Sequence, residues 1–159
     1  MGVEIERKFL VKDDSWRSAA VEAIPMEQGY VGAVGATIRI RRSGDRAWIT
    51  LKGRSPDGLR RSEYEYPIPA ADAAAMLAEF CAGRRLAKTR CIVPFAGRKW
   101  EVDVFSGIHE GLVTAELELS SPDEDFPRPP WLGREVSGDP RYRNAALAAS
   151  PPPERRGSR

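Results

Sequence analysis

The chain has 159 residues, which fits one domain, and 42% of them are apolar, enough to fill a core. It carries 25 Lys and Arg against 23 Asp and Glu, a formal net charge of +2, so it lacks the basic excess that marks a dedicated nucleic-acid binder. The last nine residues hold three Arg and one Glu; taking these from 25 and 23 leaves 22 basic and 22 acidic residues, a body of no net charge.

Val3–Val11 alternates apolar and charged residues with a period of two and reads as a strand. Asp13 and Asp14 cap a predicted short helix over Ser15–Ala23, which ends near Pro25. Gln28–Val31 reads as extended. Strands are predicted at Ala36–Arg41, Ala47–Lys52 and Ser62–Ile68, with turn signals at Ser43-Gly44-Asp45 and Pro56-Asp57-Gly58 between them. Pro69–Ala82 reads as a helix with Met76, Leu77 and Phe80 on one face and Gly83 as its C-cap. Strands follow at Ala87–Pro94, Lys99–Phe105 and Val113–Leu119. Eight of the 13 prolines lie from residue 122 onward, so a loop is expected there, with Arg128–Trp131 closing one barrel mouth. A weaker helix is predicted at Arg143–Ala149. The fold class is α+β, mainly antiparallel β: an eight-stranded closed barrel with flanking helices. The domain is expected over residues 1–150, with a disordered tail over 151–159.

On a strand, side chains at i and i+2 share a face about 6.6 Å apart. Glu4, Glu6 and Lys8 therefore face one way and Ile5 and Phe9 the other. The same sorting puts Arg39 with Arg41, Thr50 with Lys52, Arg61 with Glu63 and Glu65, Lys88 with Arg90, Glu101 with Asp103, and Glu116 with Glu118. A sheet with one solvated face shows such alternation too. A solvated face, however, mixes Ser, Thr, Asn and Gln among its charges. Here the charges repeat in pairs and their signs segregate by strand. With this face inward, eight carboxylates meet six bases, and Arg61 sits at the rim. Such crowding needs water, divalent cations or a polyanion. Carboxylate oxygens suit Mg²⁺ or Mn²⁺, and Arg and Lys suit phosphate oxygens.

Other chemistry lacks material. The single His109 falls in a turn and is expected to be exposed; zinc sites and Ser-His-Asp triads have nothing else to use. Cys81 and Cys91 form no metal spacing and no disulfide framework, and are expected to be buried fillers. Arg outnumbers Lys 20 to 5, which suits phosphate recognition and equally fits a coding bias. There is no P-loop and no Gly-x-Gly-x-x-Gly, so side chains must hold any phosphates. No signal peptide and no membrane span is seen, and a cytoplasmic location is the expectation.

Glu4-Ile5-Glu6-Arg7-Lys8-Phe9 resembles the N-terminal signature of the CYTH domain, the triphosphate tunnel metalloenzymes. The resemblance continues through Gln28-Gly29-Tyr30, Ile38-Arg39-Ile40-Arg41, Leu51-Lys52-Gly53, Glu63-Tyr64-Glu65, Lys88-Thr89-Arg90, Trp100-Glu101-Val102-Asp103, Glu116-Leu117-Glu118 and Arg141-Tyr142-Arg143-Asn144. It implies a hydrophilic tunnel and metal-dependent hydrolysis of a triphosphate, with inorganic tripolyphosphate as the leading substrate. Class IV-type adenylate cyclase, thiamine triphosphatase and a non-catalytic polyphosphate or nucleotide binder are the alternatives. It further implies that Glu4, Glu6, Asp103, Glu116 and Glu118 are metal candidates. Glu63 and Glu65 would position water, and Lys52 with Tyr30 would handle protons. Lys8, Arg39, Arg41, Lys52, Arg61, Lys88 and Arg90 would bind the triphosphate. The cofactor would be Mg²⁺, with Mn²⁺ as the alternative. The partner would be a small triphosphate rather than nucleic acid or membrane, and the protein a monomer or homodimer.

Overall fold

The computed structural model describes residues 2–156. In chain order the strands and α-helices are β1 (Gly2–Val11), β2 (Glu22–Val31), β3 (Thr37–Ser43), β4 (Arg46–Lys52), β5 (Arg60–Ile68), α1 (Ala70–Phe80), β6 (Arg85–Phe95), β7 (Arg98–Phe105), β8 (Val113–Glu118), β9 (Leu132–Glu135) and α2 (Asn144–Ala149). Short 3₁₀ helices lie at Ser15–Ala19, Gly107–His109 and Pro140–Tyr142.

Eight strands close an antiparallel barrel in the order β5-β4-β3-β2-β6-β7-β8-β1, and β1 returns to β5. Closure depends on β1. Its first residues pair with β5 (Glu4 opposite Arg61), and its later ones pair with β8 (Lys8 opposite Glu116). The free edge beyond β5 is taken by β9, with Phe9 opposite Glu135.

Two secondary-structure expectations are corrected here. The helix predicted over Ser15–Ala23 is a 3₁₀ turn that stops at Ala19, and β2 begins at Glu22. Pro25 lies inside that strand, on the stretch that pairs with β6 before β3 joins at Glu27. Its carbonyl accepts the Ser43 hydroxyl at 2.7 Å. Proline is tolerated there because only one flank needs a ladder. The other correction is β9, which falls in the proline-rich stretch expected to be loop.

The apolar residues lie mostly outside the barrel wall. One cluster joins Ile5, Phe9, Val93, Trp100, Val102, Ala115 and Leu117 to Trp16, Phe126 and Trp131. Arg128–Trp131 therefore wraps this outer face instead of closing a mouth: Arg128 stacks over the Phe9 and Phe126 rings, and Trp131 packs edge-on against Trp100. A second cluster packs α1 on β3 and β4 through Ile40, Ala47, Ala73, Leu77 and Cys81. Only glycine fits at position 29, where a Cβ would stand 2.6 Å from Cys81 Cβ and 2.8 Å from Leu77 Cδ2. The third cluster, with Leu10, Tyr30, Leu86, Tyr142 and Leu147, packs α2 against the barrel.

His109 is buried beneath α2, where Nε2–H donates to the Leu147 carbonyl; the expected exposed turn residue is a packing contact. Cys81 and Cys91 are buried free thiols, as expected. Of the tail expected over 151–159, residues 157–159 lie outside the described residues. Glu154 pairs with Arg134 at 2.7 Å, and the Arg155 guanidinium donates to the Ile108 and Glu110 carbonyls. Among the described residues no helix is long and apolar enough to cross a membrane.

Trp100 is fully buried among three aromatic rings, and its indole N–H has no partner among the described residues. Trp100→Ala is expected to cost about 3–5 kcal/mol in urea unfolding. Trp100→Phe should cost less, because no hydrogen bond is lost.

Candidate active site

The barrel interior encloses a cavity of about 340 Å³. Strand pleating sets its lining. Glu4, Glu6 and Lys8 enter from β1, Tyr30 from β2, Arg39 and Arg41 from β3, and Lys52 from β4. Arg61, Glu63 and Glu65 enter from β5, Lys88 and Arg90 from β6, Glu101 from β7, and Glu116 and Glu118 from β8. Every predicted site residue except Asp103 lines this one space. The segment from Val136 to Ala145 forms part of its wall.

Ion pairs bind the strands across the tunnel. Lys52 Nζ lies 2.9 Å from Glu4 and 3.3 Å from Glu63, and Arg61 lies 3.5 Å from Glu4. Arg39 reaches Glu65 at 3.2 Å, and the Thr50 hydroxyl donates to the same carboxylate at 2.8 Å. Asp103 has no exposed surface and stands behind the cavity wall. It accepts from Lys88 Nζ at 2.7 Å and from Arg90 at 2.9 and 3.0 Å. Burial alone would push Asp103 up; Arg90 and Lys88 outweigh it and hold the carboxyl at about 2. Burial pulls Lys88 down, Asp103 partly offsets this, and Arg90 and Arg41 add to the fall, leaving about 7. Asp103 thus serves two bases, and the structure does not bring it to the cavity as a ligand.

Two side chains on the lining are less well matched. Among the described residues Glu6 has no base within ion-pair distance; its neighbour is Glu116. Water still reaches Glu6 through the cavity, yet it lies deep among protein atoms. That burial, then Glu116 and Glu4, raise it well above the ordinary carboxylate range. Burial would raise Glu116 as well, but Lys8 at 3.9 Å and Arg90 at 3.8 Å hold it well below. Among the described residues Arg41 has no carboxylate partner. Its Nε donates to Gln28 at 2.9 Å, and burial together with Arg39 and Arg90 lowers it to about 10.

Glu6 and Glu116 offer hard oxygen ligands side by side, where a dication would relieve their repulsion. The donor set therefore fits such an ion. Among the described residues no three acidic, His or Cys side chains converge on one point, because Lys52 and Arg61 engage Glu4.

The structure does not pair Lys52 with Tyr30. Lys52 is held by Glu4 and Glu63, whereas the Tyr30 hydroxyl accepts from Gln28 Nε2 at 2.8 Å. Trp100 and Trp131 are packed outside the barrel and cannot clamp a ligand in it. Gln28 and Asn144 were given no role from the sequence. Asn144 Oδ1 accepts from Lys88 Nζ at 2.9 Å and from Gln28 Nε2 at 3.3 Å. Both stand in motifs that carry the family resemblance, and Gln28 also shares the inward parity of Tyr30; the strand period could not place Asn144, which the C-terminal segment brings in.

An eight-stranded barrel lined by acids and bases, with its apolar residues mostly outside, defines a polar-tunnel protein. The chain belongs to the CYTH family, whose domain model matches residues 2–143. It is 43% identical over 152 residues to an inorganic triphosphatase of Acetivibrio thermocellus, covering 95% of this chain and 96% of that one. It is 41% identical over 154 residues to an inorganic triphosphatase of Nitrosomonas europaea, covering 94% and 99%. The crystal structure of an inorganic triphosphatase superimposes with a TM-score of 0.69 at 38% identity, covering 94% of this chain and 99% of that one. Family membership implies a divalent metal.

Asp103→Ala leaves Lys88 and Arg90 buried without their shared counter-charge, and is expected to cost about 3–5 kcal/mol in urea unfolding. Exposed Glu118 takes no part in an ion pair among the described residues, and Glu118→Gln should stay within about 0.5 kcal/mol. Asp103 sits below its unfolded value of 3.8, so its stabilisation is complete above about pH 4 and is lost as the pH falls toward 2. Unfolding midpoints measured from pH 5 to 2 should drop over that interval.

Proposed function

We propose that the protein is a Mg²⁺-dependent hydrolase of short triphosphates, with inorganic tripolyphosphate cleaved to pyrophosphate and phosphate. The observation that carries this reading is that all seven candidate phosphate-binding bases line one cavity with the carboxylates. The relatives named inorganic triphosphatase support it.

Glu6 and Glu116, with Glu4 and Glu118 beside them, would hold the metal. When bound, it supplies positive charge to the phosphate oxygens and relieves the Glu6–Glu116 repulsion. Lys8, Arg39, Arg41, Lys52, Arg61, Lys88 and Arg90 bind the non-bridging oxygens of the chain and stabilise charge on the leaving oxygen. Arg41 is the base best poised for this, since no carboxylate competes for it. Glu63, raised first by burial and then by Glu4, orients the attacking water and accepts its proton. Glu65 is engaged by Arg39 and Thr50 and holds the strand β5 side of the site in place. Until metal and substrate bind, Lys52 and Arg61 neutralise Glu4, and Lys8 and Arg90 stand near Glu116. We place the protein in the cytoplasm, which its two free thiols favour.

Release of phosphate from tripolyphosphate should require a divalent ion, cease in a chelator and return with Mg²⁺. Glu6→Gln and Arg41→Ala should each lower kcat/KM by about 100-fold or more, with cooperative unfolding retained. No phosphate release with any divalent ion, or cyclic AMP formed from ATP as the main product, would overturn the reading.

A further inference from the structure

The tunnel nearly balances its charges; the space beside it does not. A second cavity of about 510 Å³ adjoins the tunnel, walled by the β2–β3 loop around Gly35 and the β4–β5 loop around Arg54. Its charged lining is Arg54, Arg61 and Arg143, and no Asp or Glu lines it. Arg61 is the only one of the three with a carboxylate within 4 Å among the described residues, namely Glu4. Arg54 and Arg143 form no ion pair or side-chain hydrogen bond there. Arg61 and Arg143 line the tunnel as well, so the two spaces are neighbours through shared side chains.

Single exposed arginines are ordinary on a protein surface. Three on one concavity whose lining holds no acid are different, because Arg54 and Arg143 have no counter-charge there until an anion enters. Guanidinium forks match phosphate oxygens. Thr37 and Ser55 line the same space, the Ser55 hydroxyl donating to Asp57 at 3.4 Å. No aromatic ring lines it, so it lacks the stacking platform that a nucleobase would use.

We infer that Arg54 and Arg143 build a phosphate subsite outside the tunnel, beside the space that holds the triphosphate. Its occupant is either the fourth phosphate of a longer linear chain or the departing pyrophosphate. This inference rests on the triphosphatase reading, and the chemistry needs no further reactant. One water attacks the terminal phosphorus, one bridging P–O bond breaks, and the shortened chain leaves through the annex.

The test compares wild type with Arg54→Ala and Ala36→Glu, the second placing an acid on the exposed wall of the annex. Each protein is assayed for kcat/KM on tripolyphosphate, tetrapolyphosphate and ATP, and for inhibition by pyrophosphate. Pyrophosphate binding is also titrated calorimetrically without metal. Both variants should weaken tetrapolyphosphate turnover or pyrophosphate inhibition by about fivefold, while tripolyphosphate turnover stays within about twofold. Loss for tetrapolyphosphate identifies the fourth phosphate, and loss of pyrophosphate inhibition identifies the product. Equal losses on all substrates, a loss confined to ATP, or no change in either variant would overturn the subsite. If wild type releases no phosphate from tripolyphosphate, the functional reading fails. The calorimetric titration still decides the subsite: weaker pyrophosphate binding in both variants supports it, and unchanged binding overturns it.

Discussion

A carboxylate taken from water into a protein interior loses several kcal/mol of hydration, and only a close opposite charge or a bound cation makes up the loss. Everything inside this barrel answers to that constraint. Asp103 is dry and carries its charge because Arg90 and Lys88 stand within 3 Å of it. Lys52 does the same for Glu4 and Glu63. The partners come from different strands, so the same contacts that neutralise the tunnel also tie its wall together. Asp103 links β6 to β7, and Lys52 links β4 to both β1 and β5.

Glu6 and Arg41 show where this internal settlement stops. One is an acid whose neighbour is another acid, and the other is a base whose partner is a neutral amide. They are opposite kinds of incompleteness, facing one cavity. A dication satisfies the first and a phosphate chain the second. The site's function is thus written in the pairs it fails to make as much as in those it makes.

Much of this was legible in the sequence, for a physical reason. A strand's period of two sorts residues by face, so Glu4-Ile5-Glu6 and Ile38-Arg39-Ile40-Arg41 state both what points in and its sign. The seven bases and most of the acids follow from that alone. What the period cannot give is depth. Asp103 shares its parity with Glu101, yet its place between Lys88 and Arg90 sets it behind the wall. Neutral residues were also silent: Gln28 lies on the inward face without a charge to mark it, and Asn144 arrives on α2 from far along the chain. The outward cluster misled differently. Trp131 and Arg128 look like a lid in a proline-rich stretch, but Phe9 and Trp100 face outward and need a cover, and the loop supplies it.

The inverted arrangement, with charges within and oil without, makes strand slippage self-punishing. Shifting any of these strands by one residue would carry Ile or Val into a tunnel of ions and press Glu or Arg into a cluster of aromatic rings. An ordinary sandwich is held in frame by the dislike of apolar side chains for water. Here the frame is checked twice, once on each surface of the wall, and the charged lining that serves the ligand also proofreads the alignment of the barrel that displays it.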